Sequence, residues 1–324
     1  MKIMGPQPFC LLAVCGAALW LGGCKPDIGK PPSLVEGARL LAVRQTPPEV
    51  TPGGMASFDA LVADPTGTVA ATMAWSLCKT PRPPTESNSV SQACIVQPDD
   101  DVAMAGPVAL AIPADACSLF GPDPPPVTPP IRPRDPDATG GFYVPVRATA
   151  QATDGTNVIA FAFERIQCNL ANAPGDVARM YNMIYAPNQA PVIADVVLDP
   201  EGAAPASLVA AAAGGAAATV APGAKVTLRL AWAPEAAETY VLYDPSSRTL
   251  VSPREALRVS WFATDGELAH DRTGRTGDEV ELFTDDVWTA PADAAPGRAV
   301  HFWVVLRDER GGVDFAAFDL AVGS

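Results

Sequence analysis

The chain has 324 residues and a formal net charge of -14, and 48% of its residues are hydrophobic. This length favours two domains, and the hydrophobic content excludes a disordered chain. The acidic charge argues against nucleic-acid binding, which needs a basic face, and against charge-driven adhesion to anionic lipid. The 35 prolines and 26 glycines favour short strands divided by turns over long helices.

The N-terminus predicts a lipoprotein signal peptide over residues 1–23. Lys2 supplies a positive charge, and Phe9 to Leu21 is an apolar run shorter than the roughly 20 residues that span a bilayer. The run has the length of the apolar region of a signal peptide. It ends in Leu21-Gly22-Gly23-Cys24, which resembles the lipobox of bacterial lipoproteins, where the cysteine receives diacylglyceryl.

That resemblance implies that Cys24 is lipidated, becomes the first mature residue and anchors the chain to a membrane through its acyl chains. Lys25 after the cysteine resembles the outer-membrane class of lipoproteins. The alternative is an ordinary secretory signal cleaved near Ala17 or Ala18, with Cys24 a fortuitous thiol. Residues 24–37 are rich in proline and glycine without periodicity, which predicts a lipidated tether.

Residues 38–187 predict a first β-sandwich with a long insertion. Apolar residues alternate around Trp75, as expected for a half-buried strand. A second alternating strand begins at Phe142, and Asp154-Gly155 predicts a tight hairpin turn into a return strand. Lys79 to Gly141 separates these strands and includes Gly121 to Pro136, which has too much proline for a central strand.

Four cysteines remain after the signal peptide and Cys24, and export predicts that they form two disulfides, for which three connectivities are open. Cys78 is one step out of register with the apolar face of the Trp75 strand, which disfavours a bridge across the core. We expect a local Cys78–Cys94 loop and a longer Cys117–Cys168 bridge that pins the insertion to the last strand. No pair has CxxC spacing, which argues against zinc.

Residues 188–324 repeat the same landmarks. A Pro-Gly turn precedes an alternating strand that ends at Trp232, Trp261 lies in a further strand, and Gly311-Gly312 predicts a closing hairpin. In the last strand of each half the apolar positions change phase, at Phe163 in the first half and Phe315 in the second. We expect a β-bulge in each of these strands to restore the inward face.

The second half resembles the immunoglobulin-like and PKD-like modules of bacterial surface proteins. The motifs are Asn188 to Ile193 (NQAPVI), Trp261 to Gly266 (WFATDG), Trp288 to Pro291 (WTAP) and Val304 to Gly312 (VVLRDERGG). The first half matches more loosely, through Pro52-Gly53, Trp75 and Asp154-Gly155. The resemblance implies an all-β fold with two tandem immunoglobulin-like β-sandwiches after the signal peptide and tether, and it says little about function.

Catalytic motifs are absent from the sequence. The two histidines are His270, in a turn-rich segment, and His301, on the predicted solvent face of a strand. There is no G-x-S-x-G, no H-E-x-x-H and no P-loop. The sequence therefore predicts no enzyme, no catalytic residue and no cofactor.

Two acidic clusters are the remaining candidates for a metal site. Asp99-Asp100-Asp101 and Asp285-Asp286 lack the spacing of a calcium loop, so solvated turn carboxylates are favoured over a Ca²⁺ site. Asp265 and Asp308 lie at strand ends and are expected to cap turns.

These patterns favour a non-catalytic envelope lipoprotein, held at the outer membrane, that presents immunoglobulin-like domains to a protein or glycan partner and binds no nucleic acid. A structural spacer or accessory subunit of an envelope complex is the alternative. A hydrolase with paired carboxylates is a third, less favoured hypothesis, because it needs two acids that converge in a cleft.

Overall fold

A computed structural model describes residues 29–96, 102–152, 155, 157–199, 206–212 and 217–323. Cys24, the predicted signal peptide, Asp99-Asp100-Asp101 and Asp154 lie outside these residues. A compact folded unit begins at Pro32. Residues 32–37 of the predicted tether are therefore part of the folded unit, because Val35 is fully buried and its N–H donates to the Ala263 carbonyl at 2.9 Å.

The first sandwich contains, in chain order, β1 (Arg39–Thr46), β2 (Glu49–Val50), β3 (Met55–Asp64), β4 (Gly67–Thr68), β5 (Thr72–Leu77), α1 (Gln92–Val96), β6 (Val102–Ala105), β7 (Val108–Ala111), α2 (Ala116–Phe120), β8 (Gly141–Gln151) and β9 (Asn157–Gln167). Sheet I has the order β1-β3-β4, with β7 also paired to β3, and sheet II has the order β2-β9-β8-β5-β6.

The helix α3 (Gly175–Ile184) follows. The second sandwich then contains β10 (Ile193–Asp199), β11 (Ala206–Ser207), α4 (Leu208–Ala212), β12 (Ala218–Val220), β13 (Lys225–Trp232), β14 (Leu242–Asp244), β15 (Thr249–Val251), β16 (Leu257–Ala263), β17 (Glu267–Leu268), β18 (Arg272–Arg275), β19 (Phe283–Thr289), β20 (Arg298–Arg307) and β21 (Val313–Val322). Sheet III has the order β12-β21-β20-β16-β18, sheet IV has the order β11-β10-β13-β19-β17, and β14 and β15 form a separate hairpin.

The two sandwiches share one topology, and the expected all-β immunoglobulin-like class is confirmed. In sheets I and IV the first three equivalent strands run β1-β3-β7 and β10-β13-β19. In sheets II and III the orders β2-β9-β8-β5-β6 and β12-β21-β20-β16-β18 correspond strand by strand, and β2 with β9 and β12 with β21 are parallel pairs. The glycines of the Pro-Gly turns, Gly53 and Gly223, both have positive φ, which a glycine adopts without strain.

Each sandwich buries an apolar core between its own two sheets. Trp75 and Phe58 are fully buried in the first core, and Trp261, Trp288 and Phe302 are buried in the second. These side chains come from alternating strand positions, because successive residues of a strand point to opposite faces of the sheet.

The two expected β-bulges are absent, and that prediction was wrong. The β8–β9 register is continuous from Gly141↔Gln167 to Gln151↔Asn157, and the β20–β21 register is continuous from Arg298↔Val322 to Arg307↔Val313. The apolar positions change phase along these two strands because both faces of each strand carry apolar side chains. Register shifts occur instead in the opening strands, between Leu40 and Ala42 in β1 and between Ile193 and Asp195 in β10.

In β21 the second apolar face packs on the first sandwich. The outer faces of sheet I and sheet III, meaning the faces turned away from their own cores, enclose a third apolar cluster, which we name the inter-sandwich core. Its buried members are Val35, Leu41, Ala42, Leu61, Ala63, Trp303, Val305 and Val313. The sheets are thus stacked in the order II, I, III, IV.

Polar contacts orient this packing. The Trp303 indole N–H donates to the Thr68 hydroxyl at 2.9 Å. The Arg44 guanidinium lies over the Phe315 ring, 4.5 Å from its centroid, and pairs with Asp314 of the second sandwich at 2.9 Å. Because these bonds are directional, they define the register in which the two apolar faces meet.

The first core contains polar side chains where the second core contains leucines. Equivalent register positions relate Gln45 to Leu198 and Glu164 to Leu320. Glu164 is fully buried, and neither of its carboxylate oxygens has a hydrogen-bond partner within the described residues. Burial, followed by repulsion from Glu49, raises the pKa of Glu164 from 4.5 to about 8.

We predict that Glu164→Gln removes a loss of stability that the wild type shows as the pH rises from 4.5 to about 8. The folded pKa is raised, so the wild type is stabilised below pH 4.5 and loses about 1.4 kcal/mol of unfolding free energy per pH unit from there to pH 8. Urea denaturation of both proteins between pH 4 and 9 measures this difference. Parallel pH profiles for the two proteins would show that the pKa of Glu164 is the same in the folded and unfolded states, and would contradict the raised pKa.

The structure contains two disulfides, which join Cys78 to Cys94 and Cys117 to Cys168, the same pairs that the sequence analysis expected. The second bridge ties α2 and the Pro-rich insertion to the residue after β9.

We predict that removing the longer bridge costs more stability. In the chain-entropy model, Cys117→Ala with Cys168→Ala releases a loop of sequence separation 51 and lowers the unfolding free energy by about 4 kcal/mol. Cys78→Ala with Cys94→Ala, at separation 16, costs about 3 kcal/mol. Denaturant titration of both double variants tests this order, and a larger loss in the second would contradict it.

Candidate functional site

A cleft with a volume of about 670 Å³ lies where the two sandwiches meet. Three parts of the chain enclose it: the insertion of the first sandwich, the outer face of sheet II, and the turn between β20 and β21. These parts are far apart in sequence, so the cleft exists only because sheets I and III are packed together.

The insertion forms the first wall through its two disulfide-closed loops. Residues 80–82 and 89–91 come from the Cys78–Cys94 loop, and residues 132–136 come from the Pro-rich segment. Arg132 is only 5% exposed and donates to the carbonyls of Ser118 (3.2 Å), Asp123 (2.7 Å) and Pro133 (3.1 Å). Burial lowers the pKa of Arg132. Arg132 holds the Pro-rich segment in place, because that segment has few backbone N–H groups of its own to donate.

Arg82, which is half-buried, and Arg134, which is exposed, give this wall its positive charge. Arg82 donates to the Glu86 carbonyl, and Arg134 pairs with Asp123 at 2.7 Å across a largely solvated contact. A surface pair of this kind is weak and can exchange for a ligand at little cost.

The floor of the cleft is aromatic and apolar. It is formed by Tyr143, Pro145 and Phe163 on the outer face of sheet II. The same face of β9 continues with Phe161 and Ile159, so an apolar row leads out of the cleft along the strand. Phe163 is 36% exposed and Ile159 is 47% exposed. Contiguous exposed apolar surface of this kind marks interaction sites.

The turn of the second sandwich forms the opposite wall. Asp308 Oδ1 accepts from the N–H groups of Arg310 (2.9 Å) and Gly312 (2.7 Å), and Asp308 Oδ2 accepts from the Asn188 amide (3.1 Å). Asp308 therefore caps the turn as predicted from sequence. Burial raises the pKa of Asp308, and these hydrogen bonds oppose the shift.

A buried ionic network, which we name the joint, lies behind the cleft. Arg165 Nε donates to Glu49 Oε2 at 3.2 Å with both side chains 1% exposed. Glu49 also accepts from the Tyr185 hydroxyl and from the Asn188 N–H (2.8 Å). The first sandwich and the segment after α3 are thus held by one carboxylate.

The same network continues into the second sandwich. Arg310 donates to Glu255 and to Glu238, each at 2.7 Å, and its backbone carbonyl accepts from the Tyr143 hydroxyl at 3.3 Å. Burial and repulsion from Asp308 raise the pKa of Glu255 to about 7 against the stabilising effect of Arg310. Each ion pair of the joint lies within one sandwich, and the Tyr143 hydroxyl connects them, because it accepts from Arg165 at 3.2 Å and donates to the Arg310 carbonyl.

Neither histidine lines the cleft. His270 Nδ1 lies 2.9 Å from Asp286 Oδ1, and His301 Nδ1 lies 2.7 Å from Asp319 Oδ1. Asp285 pairs with Arg229 at 2.8 Å. The predicted solvated carboxylates of the Asp285-Asp286 pair are therefore engaged by side chains. Within the described residues no group of three or more histidine, cysteine or acidic side chains is arranged to hold a metal ion.

Sequence reasoning missed the cleft and the joint. The available signal is the phase change in the closing strands, which marks second apolar faces rather than bulges. Glu49, Arg165 and Arg310 have no distinguishing motif, because their burial follows from contacts between distant segments.

The helices of the described ranges include none with the length and apolar character needed to cross a bilayer.

No protein-family model matches the sequence, and no curated protein matches it. Solved structures with a similar arrangement include dimeric latent PorU from Porphyromonas gingivalis, with 12% identity, a TM-score of 0.23, and coverage of 89% of this chain and 24% of that chain. The chain therefore spans about a quarter of that protein's length.

Two further similar structures come from other bacterial proteins. The C-terminal domain of the Streptococcus pyogenes antigen I/II-family protein AspA has 10% identity and a TM-score of 0.23, with 89% of this chain and 99% of that chain covered. The Yersinia pseudotuberculosis adhesin InvE has 9% identity and a TM-score of 0.22, with 90% and 61% covered. With all these TM-scores below 0.5, we derive no family, partner or activity from them.

Proposed function

We propose that the chain is a non-catalytic binding protein of the bacterial cell envelope, which holds a protein or glycan partner in the cleft between its two sandwiches. The observation that carries this proposal is the aromatic floor of sheet II, which opens into a cleft with arginines on its rim. Aromatic rings with a polar rim are the composition typical of recognition surfaces.

The floor and rim fit either class of partner. The rings of Tyr143 and Phe163 offer apolar faces for the flat side of a sugar or for a peptide side chain. Arg82 and Arg134 offer donors to carbonyl, hydroxyl or carboxylate oxygens. The disulfides and the joint hold the walls of the cleft in place. A ligand can then bind without rearrangement of these walls, which lowers the entropic cost of association.

We predict that a photoreactive residue at Phe163, in the full chain in intact envelopes, captures a partner. The matched control is the same residue at Val251, which is 39% exposed against 36% for Phe163 but lies on the β14–β15 hairpin. Mass spectrometry of the adducts then distinguishes protein from glycan. Equal capture at both positions, or none at Phe163, would contradict a binding role for the cleft.

The membrane anchor is the second part of the proposal. The lipobox-like Leu21 to Cys24 supports lipidation of Cys24 and placement at the outer membrane. The two disulfides support export, because such bonds persist in oxidising compartments.

We predict that Cys24→Ala abolishes incorporation of a labelled fatty acid and removes the chain from the outer-membrane fraction. Cys10→Ala is the matched control, because Cys10 lies in the part that the signal peptidase would remove, and it should label as the wild type does. Label retained in Cys24→Ala would place the lipid elsewhere.

A structural spacer is the second candidate, and the joint together with the inter-sandwich core favours it. The buried apolar cluster, the Trp303–Thr68 hydrogen bond and the Tyr143–Arg310 hydrogen bond cross between the sandwiches, and contacts of this kind hold two domains in one orientation. The photoreactive experiment distinguishes the two functions, since a spacer gives no selective adduct at Phe163.

A further inference from the structure

Three arginines, Arg258, Arg272 and Arg307, which we name the arginine cluster, lie together on the outer face of sheet III. Arg258 of β16 is directly opposite Arg307 of β20, and Arg272 of β18 is directly opposite Ser260 of β16. Directly opposed residues of an antiparallel pair share one face of the sheet, and so do residues two apart in a strand. Ser260 is also opposite Val305, a buried member of the inter-sandwich core, so this face is the outer one.

Arg307 is the member of the cluster that lies closest to the first sandwich. Its Nη1 lies 3.5 Å from the Ser260 hydroxyl oxygen, and its Nη2 donates to the Leu41 carbonyl at 3.2 Å. Both of these acceptors are neutral. Burial, followed by repulsion from Arg272, lowers the pKa of Arg307, and no carboxylate of the described residues opposes this shift. Arg307 is therefore a half-buried cation without an ion-pair partner in the described part of the chain.

The other two arginines of the cluster are exposed. In the ranges that the structure describes, neither the Arg258 nor the Arg272 side chain has a hydrogen bond or an ion pair. Asp271 precedes Arg272 in sequence, and its carboxylate accepts from the Ser33 N–H at 3.3 Å. The chain has 36 acidic and 22 basic residues. The cluster is therefore a local concentration of positive charge on an acidic protein.

This arrangement costs stability when no ligand is bound. Like charges directly opposite each other on one face of a sheet repel, and this is the relation between Arg258 and Arg307. Sheet IV shows the usual solution at another strand pair, where Arg229 is directly opposite Asp285 and pairs with it at 2.8 Å. An anion that binds between the guanidinium groups would supply the negative charge that the arginine cluster lacks.

The donor groups indicate the class of anion. A guanidinium presents its N–H groups as a planar fork that matches two oxygens of a phosphate or carboxylate group. The Ser260 hydroxyl adds a rotatable donor beside Arg307. Three positive charges favour an anion with more than one negative charge, or with several acceptor oxygens, and phosphate groups meet both requirements.

We propose that the arginine cluster binds a phosphate-bearing anion, with the Ser260 hydroxyl as a further donor. The site goes beyond the proposed function, because none of these residues lines the cleft. A free phosphate compound and the headgroup of an anionic lipid share this chemistry, and the experiment below distinguishes the two sources.

The net charge of -14 sets the conditions of the test. At low ionic strength the whole chain repels anions over long distances. At about 0.15 M salt, charges more than about 8 Å apart are largely screened, so the direct contacts of the cluster dominate.

The first measurement is calorimetric titration of the full chain, held in an uncharged detergent at this ionic strength, with inorganic pyrophosphate. Arg272→Gln should weaken pyrophosphate binding at least about tenfold, because it removes charge-assisted hydrogen bonds to the anion. Arg179→Gln is the matched control, since it removes the same charge from an exposed arginine on α3, and it should change the affinity less than about twofold.

The second measurement is urea denaturation with and without pyrophosphate. Without the anion, Arg258→Gln should unfold at the same urea concentration as the wild type or at a higher one, because the substitution relieves the repulsion from Arg307. Pyrophosphate should raise the midpoint of the wild type by mass action and should raise that of Arg258→Gln by less.

The third measurement repeats the calorimetric titration with glycerophosphoglycerol, which is the headgroup of phosphatidylglycerol without its acyl chains. Tighter binding of this phosphodiester than of pyrophosphate supports the site and identifies a lipid headgroup as the source of the anion. Tighter binding of pyrophosphate supports the site and identifies a free phosphate compound.

Three results would overturn the proposal. One is that the wild type binds neither compound. Another is an equal loss of affinity in Arg179→Gln and Arg272→Gln, because net charge alone would then account for binding. The last is a pyrophosphate-induced rise in the midpoint of Arg258→Gln that equals the rise in the wild type.

Discussion

The rest of the structure depends on the apolar contact between the outer faces of sheets I and III. Trp303 and Val305 of β20 point away from their own core and into this contact, opposite Leu41 and Leu61 of the first sandwich. Hydrophobic burial has no direction of its own. The orientation comes from the bond of the Trp303 indole to Thr68 and from Arg44, which meets both a ring and a carboxylate of the other sandwich.

The joint adds little net stability to the fold, but each of its buried charges requires a partner of opposite charge. Taking Glu49, Arg165, Glu255 and Arg310 out of water costs free energy that their mutual attraction repays only in good geometry. Each ion pair lies within one sandwich, and the contacts that connect the two pairs are the hydrogen bond from Tyr143 to the Arg310 carbonyl and those of Asn188 with Glu49 and Asp308. Disulfides and the Pro-rich segment, held by Arg132, then complete the cleft in front of the joint.

The sequence predicted the sheets well because period-two alternation directly reflects which strand face is buried. Trp75 and Trp261 lie in the cores where alternation placed them, and the hairpins that close both halves are present. Alternation cannot tell a bulge from a strand with apolar side chains on both faces, since both interrupt the pattern. The β9 and β21 strands belong to the second kind: the outer face of β21 is buried against the first sandwich, whereas Ile159 and Phe163 on the outer face of β9 are exposed.

Polar core residues were beyond prediction for a related reason. Glu164 stands where the second sandwich has Leu320, and a lone acidic residue within an alternating strand is normally assigned to solvent. The cleft shares this difficulty, because its walls come from the insertion, from sheet II and from the turn at Asp308, and no local pattern relates them.

The walls of the cleft come from both sandwiches. Binding of a ligand in the cleft is therefore coupled to the packing of the two sandwiches against each other. A ligand that contacts both the Arg82 loop and the Asp308 turn binds only molecules in which the sandwiches are packed together. By mass action, such a ligand adds RT ln(1 + [L]/Kd) to the free energy that holds them in place. A ligand of this kind would therefore hold the two sandwiches together, and an unliganded molecule would open more readily at its interdomain contact than an occupied one.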